Sequence, residues 1–218
     1  MPIDCAFYNC SGLTSITIGS GVTSIVNSAF EGCSGLTSVT IGRGVTSIVN
    51  SAFEGCSGLT SITIPDNVTY IGRYAFRGCS GLTSITIGSG VTSIDYGAFV
   101  DCSGLENIYI TDIAVWCRIS NLDNLMSYGS NSKKLYLNNE LITDLVIPDS
   151  VTSIGEVAFR GCSGLTSITI GSGVTSIDYG AFVDCSGLEN IYITDIAAWC
   201  KISELSNLMR YGSNSKKL

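Results

Sequence analysis

The feature that most constrains the fold of this chain is a period of 23 residues. Runs that begin Leu-Thr-Ser or Leu-Glu-Asn start at positions spaced by 23 residues, and the pattern resumes after one longer unit. The starting residues are Leu13, Leu36, Leu59, Leu82, Leu105, Ile142, Leu165 and Leu188. A fixed period of roughly 20 to 50 residues is typical of repeat proteins, in which no unit can bury its apolar face alone. The sequence therefore predicts a stacked solenoid.

Each unit has the residue types of a short coil with three sides. In the unit 59–81, a run rich in β-branched residues predicts a strand with Leu59, Ile62 and Ile64 facing inward. A turn follows, which is Pro-Asp-Asn in this unit and Gly-Ser-Gly in several others. A second apolar run, 68–71, comes next. The third side is predicted to be a short helical or 3₁₀ turn that carries Ala75, Phe76 and Cys79.

The period runs from end to end, which predicts a single elongated solenoid domain over 1–218 with mainly parallel β-structure. This domain includes a partial unit at 1–12, a 37-residue variant unit at 105–141 and a truncated variant unit at 188–218. We expect roughly the last ten residues to be poorly ordered. The phenylalanines are expected to form a buried stack that contains Phe30, Phe53, Phe76, Phe99, Phe159 and Phe182.

The variant unit contains two additions to the standard pattern. A short helix is predicted between Ile113 and Ile119, with Thr111 or Asp112 as its N-cap and with Trp116 in the space that phenylalanine normally fills. The later segment, 135–141, has two asparagines between apolar runs and is typical of a β-hairpin, because asparagine tolerates the positive dihedral angles of a tight turn.

The variant unit is also copied. Residues 161–218 repeat residues 78–135 with five differences. Recent duplication and deliberate design both account for such near-identity.

Composition argues against two classes of partner. The formal net charge is −7, and the two Lys-Lys pairs are too small to form a phosphate-binding surface, so nucleic acid is not a predicted partner. The mean hydropathy is +0.38, yet no apolar run approaches the roughly 18 residues of a membrane span. Membrane insertion is therefore not predicted.

Seven of the ten cysteines occupy the same place in their units, and stacking puts them in one column: Cys10, Cys33, Cys56, Cys79, Cys102, Cys162 and Cys185. Rungs about 4.8 Å apart bring neighbouring Cα atoms within reach of a disulfide, but parallel side chains in one column point the same way. Disulfides and a ladder of buried free thiols both stay open, and the free thiols are favoured. No metal site is predicted, because the sequence has no Cys-x-x-Cys pair and no histidine.

The unit LTSITIPDNVTYIGRYAFRGC closely resembles the BspA-like, or Treponema pallidum type, leucine-rich repeat, in which LxxIxIP is followed by VTxIGxxAFxxC. The segments ITDIAxWC and LYLNxELITDLVIP are also similar to that family. The resemblance implies a right-handed coil and a secreted or cell-surface protein that adheres to host or microbial surface proteins or glycans. Gly-Ser-Gly often replaces the proline turn, and no anchor or signal segment is recognisable, so the mode of attachment stays open.

Catalysis is not predicted. Without histidine there is no Ser-His or Cys-His pair, and the cysteines have no neighbouring base. The repeated carboxylates are interpreted as solvated turn residues and helix caps, and no cofactor is implied. They are Asp95, Asp101, Glu106 and Asp112, with their copies Asp178, Asp184, Glu189 and Asp195.

Function is therefore expected on the outward face of the first strand in each unit. Its third and fifth positions are Ser and Thr in most units, and the variant units replace them with Asn and Tyr. Exposed tyrosine in a polar setting is a favoured recognition residue. The predicted contact residues are Asn107, Tyr109, Asn190 and Tyr192.

The sequence also allows other functions for this chain. The tyrosines can instead pack under the hairpin, and the protein can be a structural stalk that binds nothing. An ice-binding threonine face is less consistent with the sequence, because Ser and Tyr interrupt the threonine ranks. Open solenoid ends also predict end-to-end or edge-mediated self-association.

Overall fold

The computed structural model describes residues 5–130 and 132–209. Parts of the predicted first and last units, at 1–4 and 210–218, and the expectation about order in the last residues lie outside the described residues. The described chain is a solenoid of mostly parallel strands with little helix, as the sequence predicted. We refer to each turn of the coil as a rung.

The strands follow one another in chain order as β1 (Ser15–Ile18), β2 (Ser24–Ile25), β3 (Ser38–Ile41), β4 (Ser47–Ile48), β5 (Ser61–Ile64), β6 (Tyr70–Ile71), β7 (Ser84–Ile87), β8 (Ser93–Ile94), β9 (Asn107–Ile110), β10 (Lys134–Leu137), β11 (Glu140–Leu141), β12 (Asp144–Ile147), β13 (Ser153–Ile154), β14 (Ser167–Ile170), β15 (Ser176–Ile177) and β16 (Asn190–Ile193). The helices are α1 (Ile113–Trp116), α2 (Asp123–Met126), α3 (Ile196–Trp199) and α4 (Ser206–Met209).

The four-residue strands form the front of the solenoid, and the two-residue strands β2, β4, β6, β8, β13 and β15 form its back. Paired rungs are in register with the 23-residue period, so that Ser15 lies opposite Ser38 and Ile18 opposite Ile41. The isoleucines of the front strands point inward and the serines and threonines point outward, as expected from the alternation of side chains along a strand.

The third side of each rung is a series of tight turns closed by backbone bonds to the third residue back, such as Cys79 N to Phe76 O at 3.2 Å. The predicted phenylalanine stack is confirmed there. Rings in successive rungs lie nearly parallel with centroids 5.2 to 5.4 Å apart, from Phe7 through Phe99, and the stack resumes between Phe159 and Phe182.

The ladder of free thiols is also confirmed, since all ten cysteines are unpaired. Most column thiols donate to the carbonyl oxygen of the phenylalanine in the preceding rung, as Cys79 Sγ does to Phe53 O at 3.2 Å. The prediction of burial was wrong for Cys10, which lies in the first described rung and is exposed. Cys117, outside the column, is buried beside α1.

The variant unit folds as predicted around α1. The Asp112 carboxylate accepts from Val115 N at 3.0 Å and begins the helix. Trp116 is buried, and its indole Nε1 donates to Ala158 O at 2.9 Å. In standard rungs that alanine carbonyl accepts from a phenylalanine backbone amide, as Ala98 O does from Phe76 N. Trp116 thus supplies the hydrogen bond that the missing phenylalanine would have made to the next rung.

The predicted hairpin is confirmed as β10 and β11, which pair antiparallel around Asn138 and Asn139. Both asparagines have positive φ angles, of 52° and 69°, as a two-residue turn of this kind requires. Strand β10 also pairs in parallel with β9, so the hairpin extends the front sheet.

The front sheet is interrupted twice, between β3 and β5 and between β11 and β12, whereas β4 and β6 stay paired on the back behind the first break. Both breaks precede a rung with a proline turn. Where β3 pairs with β1 and β10 with β9, the residue after the strand donates its N–H to the previous rung, as Gly42 does to Ile18 O at 2.8 Å. Pro65 and Pro148 have no N–H to donate at that position.

The third residue of the same turn also differs between continuous and interrupted rungs. A Cβ atom on Gly90 would lie 1.9 Å from Asp66 O, and one on Gly44 would lie 1.9 Å from Ser20 O, so continuous rungs need glycine there. The two rungs that follow a break have Asn67 and Ser150 instead. Proline with a larger third turn residue therefore marks the places where the front strands separate.

Candidate functional site

The serine and threonine columns of the front sheet lie where the sequence predicted them, on the outward face. They consist of Ser15, Ser38, Ser61, Ser84, Asn107, Asp144, Ser167 and Asn190, and of Thr17, Thr40, Thr63, Thr86, Tyr109, Val146, Thr169 and Tyr192. Because the first break falls within the threonine ranks, these columns do not form one flat surface. The largest change in their chemistry comes at β9.

At β9, the front face carries a stacked pair of tyrosines. Tyr109 lies directly opposite Tyr136 of β10, and the two rings are stacked at 4.5 Å between centroids with 16° between their planes. Both side chains are half-buried. Tyr109 therefore packs against the hairpin strand beside it, with part of its ring still open to solvent.

Hydrogen bonds hold the polar rim of this pair. Tyr136 Oη donates to Asn107 Oδ1 at 3.4 Å, and Asn107 Nδ2 donates to Thr83 O of the previous rung at 3.3 Å. Lys134 and Glu106 form a surface ion pair at 3.0 Å at the start of the same strands. Asn107 is thus a bridge between rungs as well as a predicted contact residue.

A groove adjoins the tyrosine pair where the front sheet breaks after β11. It encloses about 270 Å³ and is lined on the hairpin side by Leu137 and Leu141 and on the β12 side by Asp144 and Val146. Val146 is 59% exposed and Leu141 is 44% exposed. The pKa of Asp144 is lowered by hydrogen bonds from Ser167 first, and then from Thr143 and Thr166, so this carboxylate stays charged beside the apolar side chains.

The second predicted pair, Asn190 and Tyr192, lies on β16. Tyr192 is opposite Thr169 and is 55% exposed, and Asn190 is half-buried. The strand that would correspond to β10 of the first variant unit begins at residue 217, outside the described residues.

The structure brings Asn107 and Tyr109 together on one strand and Asn190 and Tyr192 together on another, but it keeps the two pairs apart. Strand β9 belongs to the five-stranded sheet and β16 to the three-stranded sheet, with β10, β11, β12 and β14 between them. The prediction did not include Tyr136, Leu137 or Leu141 as part of this surface. The parallel register of β10 on β9 would have been needed to find them.

No three His, Cys, Asp or Glu side chains in 5–130 and 132–209 are grouped as metal ligands. Burial raises the pKa of the Cys56, Cys117 and Cys162 thiols to about 12, which keeps them protonated and unreactive. No helix in this part of the chain is long and apolar enough to cross a membrane.

Comparison with known families agrees with the repeat architecture. The sequence matches the BspA type leucine rich repeat region in six copies, over residues 4–118 and 130–207. The chain belongs to this family. No curated protein is a significant sequence match to it.

Two solved structures of leucine-rich repeat proteins have the same fold. The T. pallidum leucine rich repeat protein is 22% identical, with 98% of this chain and 78% of that chain covered and a TM-score of 0.52. A leucine-rich repeat protein from Bacteroides ovatus is 27% identical, with 88% and 52% covered and a TM-score of 0.50. The chain thus spans about half the length of the Bacteroides ovatus protein.

Proposed function

We propose that this BspA-type repeat chain is a non-catalytic interaction module of a secreted or cell-surface protein, and that it adheres to host or microbial surface proteins or glycans. The observation that carries the proposal is the stacked pair Tyr109 and Tyr136 on the front face. A rigid aromatic pair on an otherwise Ser/Thr surface, beside an open groove, provides contact area at little entropic cost. The family resemblance supports the same function.

The contact surface of this proposal is the front face of the variant units. Asn107 and Tyr109 form its first part, together with Tyr136 and the groove beside Val146. Asn190 and Tyr192 form an equivalent part on β16, at a separate position along the solenoid. Two copies of the Asn/Tyr pair on one chain favour a ligand that repeats, because linked sites raise the effective concentration of the second binding event.

The test is an array of extracellular matrix proteins and glycans probed with the chain and with a Tyr109→Ala/Tyr192→Ala double variant. We expect at least one ligand to be bound, with binding weakened roughly tenfold or more in the double variant. Thr86→Ala is the matched control, because Thr86 lies in the same column on the neighbouring strand β7.

Binding that survives the double variant would contradict the assignment of the contact surface. If the parent chain binds nothing on the array, the adhesion function itself is contradicted and the structural stalk is favoured. Circular dichroism of each variant checks that the half-buried Tyr109 can be removed without unfolding the rung.

A further inference from the structure

A second cluster of exposed aromatic and charged side chains lies away from the front face. It is formed by Arg73, Tyr74, Arg77 and Tyr96, just after the back strands β6 and β8, at the corner where the back of the solenoid meets the phenylalanine side. We call these four residues the corner cluster. None of them takes part in the proposed front-face function.

The side chains of the corner cluster form a compact unit. The rings of Tyr74 and Tyr96 meet edge to face at 5.9 Å. The Arg73 guanidinium lies 4.8 Å from the centre of the Tyr74 ring and 5.4 Å from that of Tyr96, and its Nη2 donates to Tyr74 Oη at 3.1 Å. Arg77 lies 5.1 Å from the Tyr74 ring. Cation–π contacts of this kind fix the orientation of side chains that would otherwise be mobile.

Hydrogen bonds within and between the same two rungs hold the cluster in place. Tyr70 Oη donates to Asp95 Oδ2 at 2.7 Å, and the other oxygen of that carboxylate accepts from Tyr96 N at 2.6 Å. Tyr74 N donates to Tyr96 O at 3.3 Å. The left-handed backbone at Tyr74 belongs to the repeat, since Ser51 and Val157 share it. What distinguishes this corner is therefore its side chains.

The charges around the cluster restrict the ligand. Arg77 is already paired with Glu54 at 3.4 Å and with Asp101 at 4.0 Å, and the chain has a formal net charge of −7, so a polyanion would be repelled. A cationic ligand is also disfavoured, because the guanidinium groups of Arg73 and Arg77 place two positive charges at this corner. In the described residues, Arg73 has no carboxylate partner within 4.0 Å and keeps donors free.

Tyr96 supplies the open surface. It is 59% exposed, so a large part of its ring faces solvent. A pyranose ring has an apolar face of C–H bonds that can lie on such a ring, and a rim of hydroxyl groups that can bond to guanidinium and carboxylate groups. We propose that the corner cluster binds a neutral sugar of a glycan, with Tyr96 as the stacking platform and with Arg73 as a donor to its hydroxyl groups.

The duplicated part of the chain provides a natural comparison. Tyr179 is the copy of Tyr96 in the second module, and it is 67% exposed. Its rung has the same backbone bond, from Val157 N to Tyr179 O at 3.1 Å, but Glu156 and Val157 replace Arg73 and Tyr74. The second corner thus keeps the exposed tyrosine and Arg160, the copy of Arg77, but has no counterpart of Arg73 or of the Tyr74 ring, and we expect it to bind no sugar.

The experiment measures binding of the full chain to immobilised yeast mannan, β-glucan and galactan, with heparin as the anionic probe. We expect at least one neutral polysaccharide to bind and heparin not to bind. Tyr96→Ala is expected to weaken that binding by roughly tenfold or more, whereas Tyr179→Ala leaves it unchanged. Because Tyr96 is exposed, its removal leaves the fold intact, and thermal melting checks this.

A variant designed to gain binding gives a second test of the proposal. The double variant Glu156→Arg/Val157→Tyr rebuilds the cluster at the second corner and is expected to increase the amount of polysaccharide bound at saturation. The proposal is overturned if no neutral polysaccharide binds, or if Tyr96→Ala and Tyr179→Ala have equal effects. Tyr109→Ala separates the two proposals, because it alters the front face and leaves the corner cluster unchanged.

Discussion

Raising the pH from about 8 to 11 is expected to destabilise this protein severely, because of its buried thiols. Burial raises the pKa of Cys56, Cys117 and Cys162 from 9.0 to about 12 in the folded chain. In the unfolded chain each thiol loses its proton near the ordinary value. Between these pH values the folded state holds more protons than the unfolded state, so the free energy of unfolding falls as the pH rises.

The size of the thiol pKa shifts makes this loss of stability large. Each pKa unit of difference corresponds to about 1.4 kcal/mol, so one thiol costs roughly 2 to 3 kcal/mol at pH 11. Three such thiols cost about 8 kcal/mol, which is comparable with the whole stability of a typical domain, roughly 5 to 15 kcal/mol. Cys79, whose pKa is raised first by a hydrogen bond with Cys102 and then by burial, adds to this in the same direction.

Lys133 has the opposite effect on the change of stability with pH. Burial lowers its pKa to about 8, and its ammonium group donates to the carbonyl oxygens of Tyr128 and Ser130. The unfolded chain therefore holds this proton at pH values where the folded chain has lost it, so this group favours the folded state as the pH rises above about 8. One lysine acts against several thiols, and the net change is a loss of stability.

The measurement is a series of urea midpoints between about pH 8 and 10.5 under reducing conditions. A Cys56→Ala/Cys162→Ala double variant is the control, and its stability should fall less steeply with pH than that of the parent. Equal slopes in the two proteins would show that the thiol column is not the cause. The comparison of slopes is independent of any stability that the double variant loses at neutral pH.

Much of the fold could be predicted from the sequence because each structural position occurs in many successive units, with the same type of residue in each. One inward isoleucine is weak evidence, but equivalent isoleucines, phenylalanines and cysteines in successive units fix a column. The same logic predicted the hairpin from Asn138 and Asn139, which supply the positive φ angles of its turn.

The two breaks in the front sheet were not predicted, although residues in the sequence mark them. In the sequence, Pro65 predicts only a turn. Its missing N–H also matters, because a carbonyl oxygen of the previous rung then has no donor at this position. Asn67, where continuous rungs need glycine, points to the same break. A change of turn residues becomes informative only when it is compared with the rung before it.

The candidate site was predicted less completely than the fold. The alternation of the strand placed Tyr109 on the outward face, but its partner Tyr136 is 27 residues later and outside the regular period. The corner cluster was not predicted at all, since Arg73 and Tyr96 occupy the same position in successive units without sharing a residue type. The 23-residue period identifies what recurs from rung to rung, and these surfaces consist of residues that depart from that period.

Replacing Phe76 with alanine is expected to cost roughly 3 to 5 kcal/mol of stability. The Phe76 ring is fully buried and stacks on Phe53 at 5.4 Å and on Phe99 at 5.2 Å. Its removal leaves a cavity between two rungs and weakens both of these contacts. In a solenoid each rung is stabilised mainly by its neighbours, so a defect in the middle also reduces the coupling between the two halves.

Thermal and urea unfolding of Phe76→Ala therefore should show a lower midpoint and a broader transition, because the rungs on either side of the cavity no longer unfold together. Phe7→Ala is the matched control, since Phe7 ends the same stack and is 40% exposed. Its expected cost is about 1 kcal/mol. A midpoint for Phe76→Ala close to that of the parent would mean that the phenylalanine column is not what joins the rungs, and that the front and back strands alone carry the coupling.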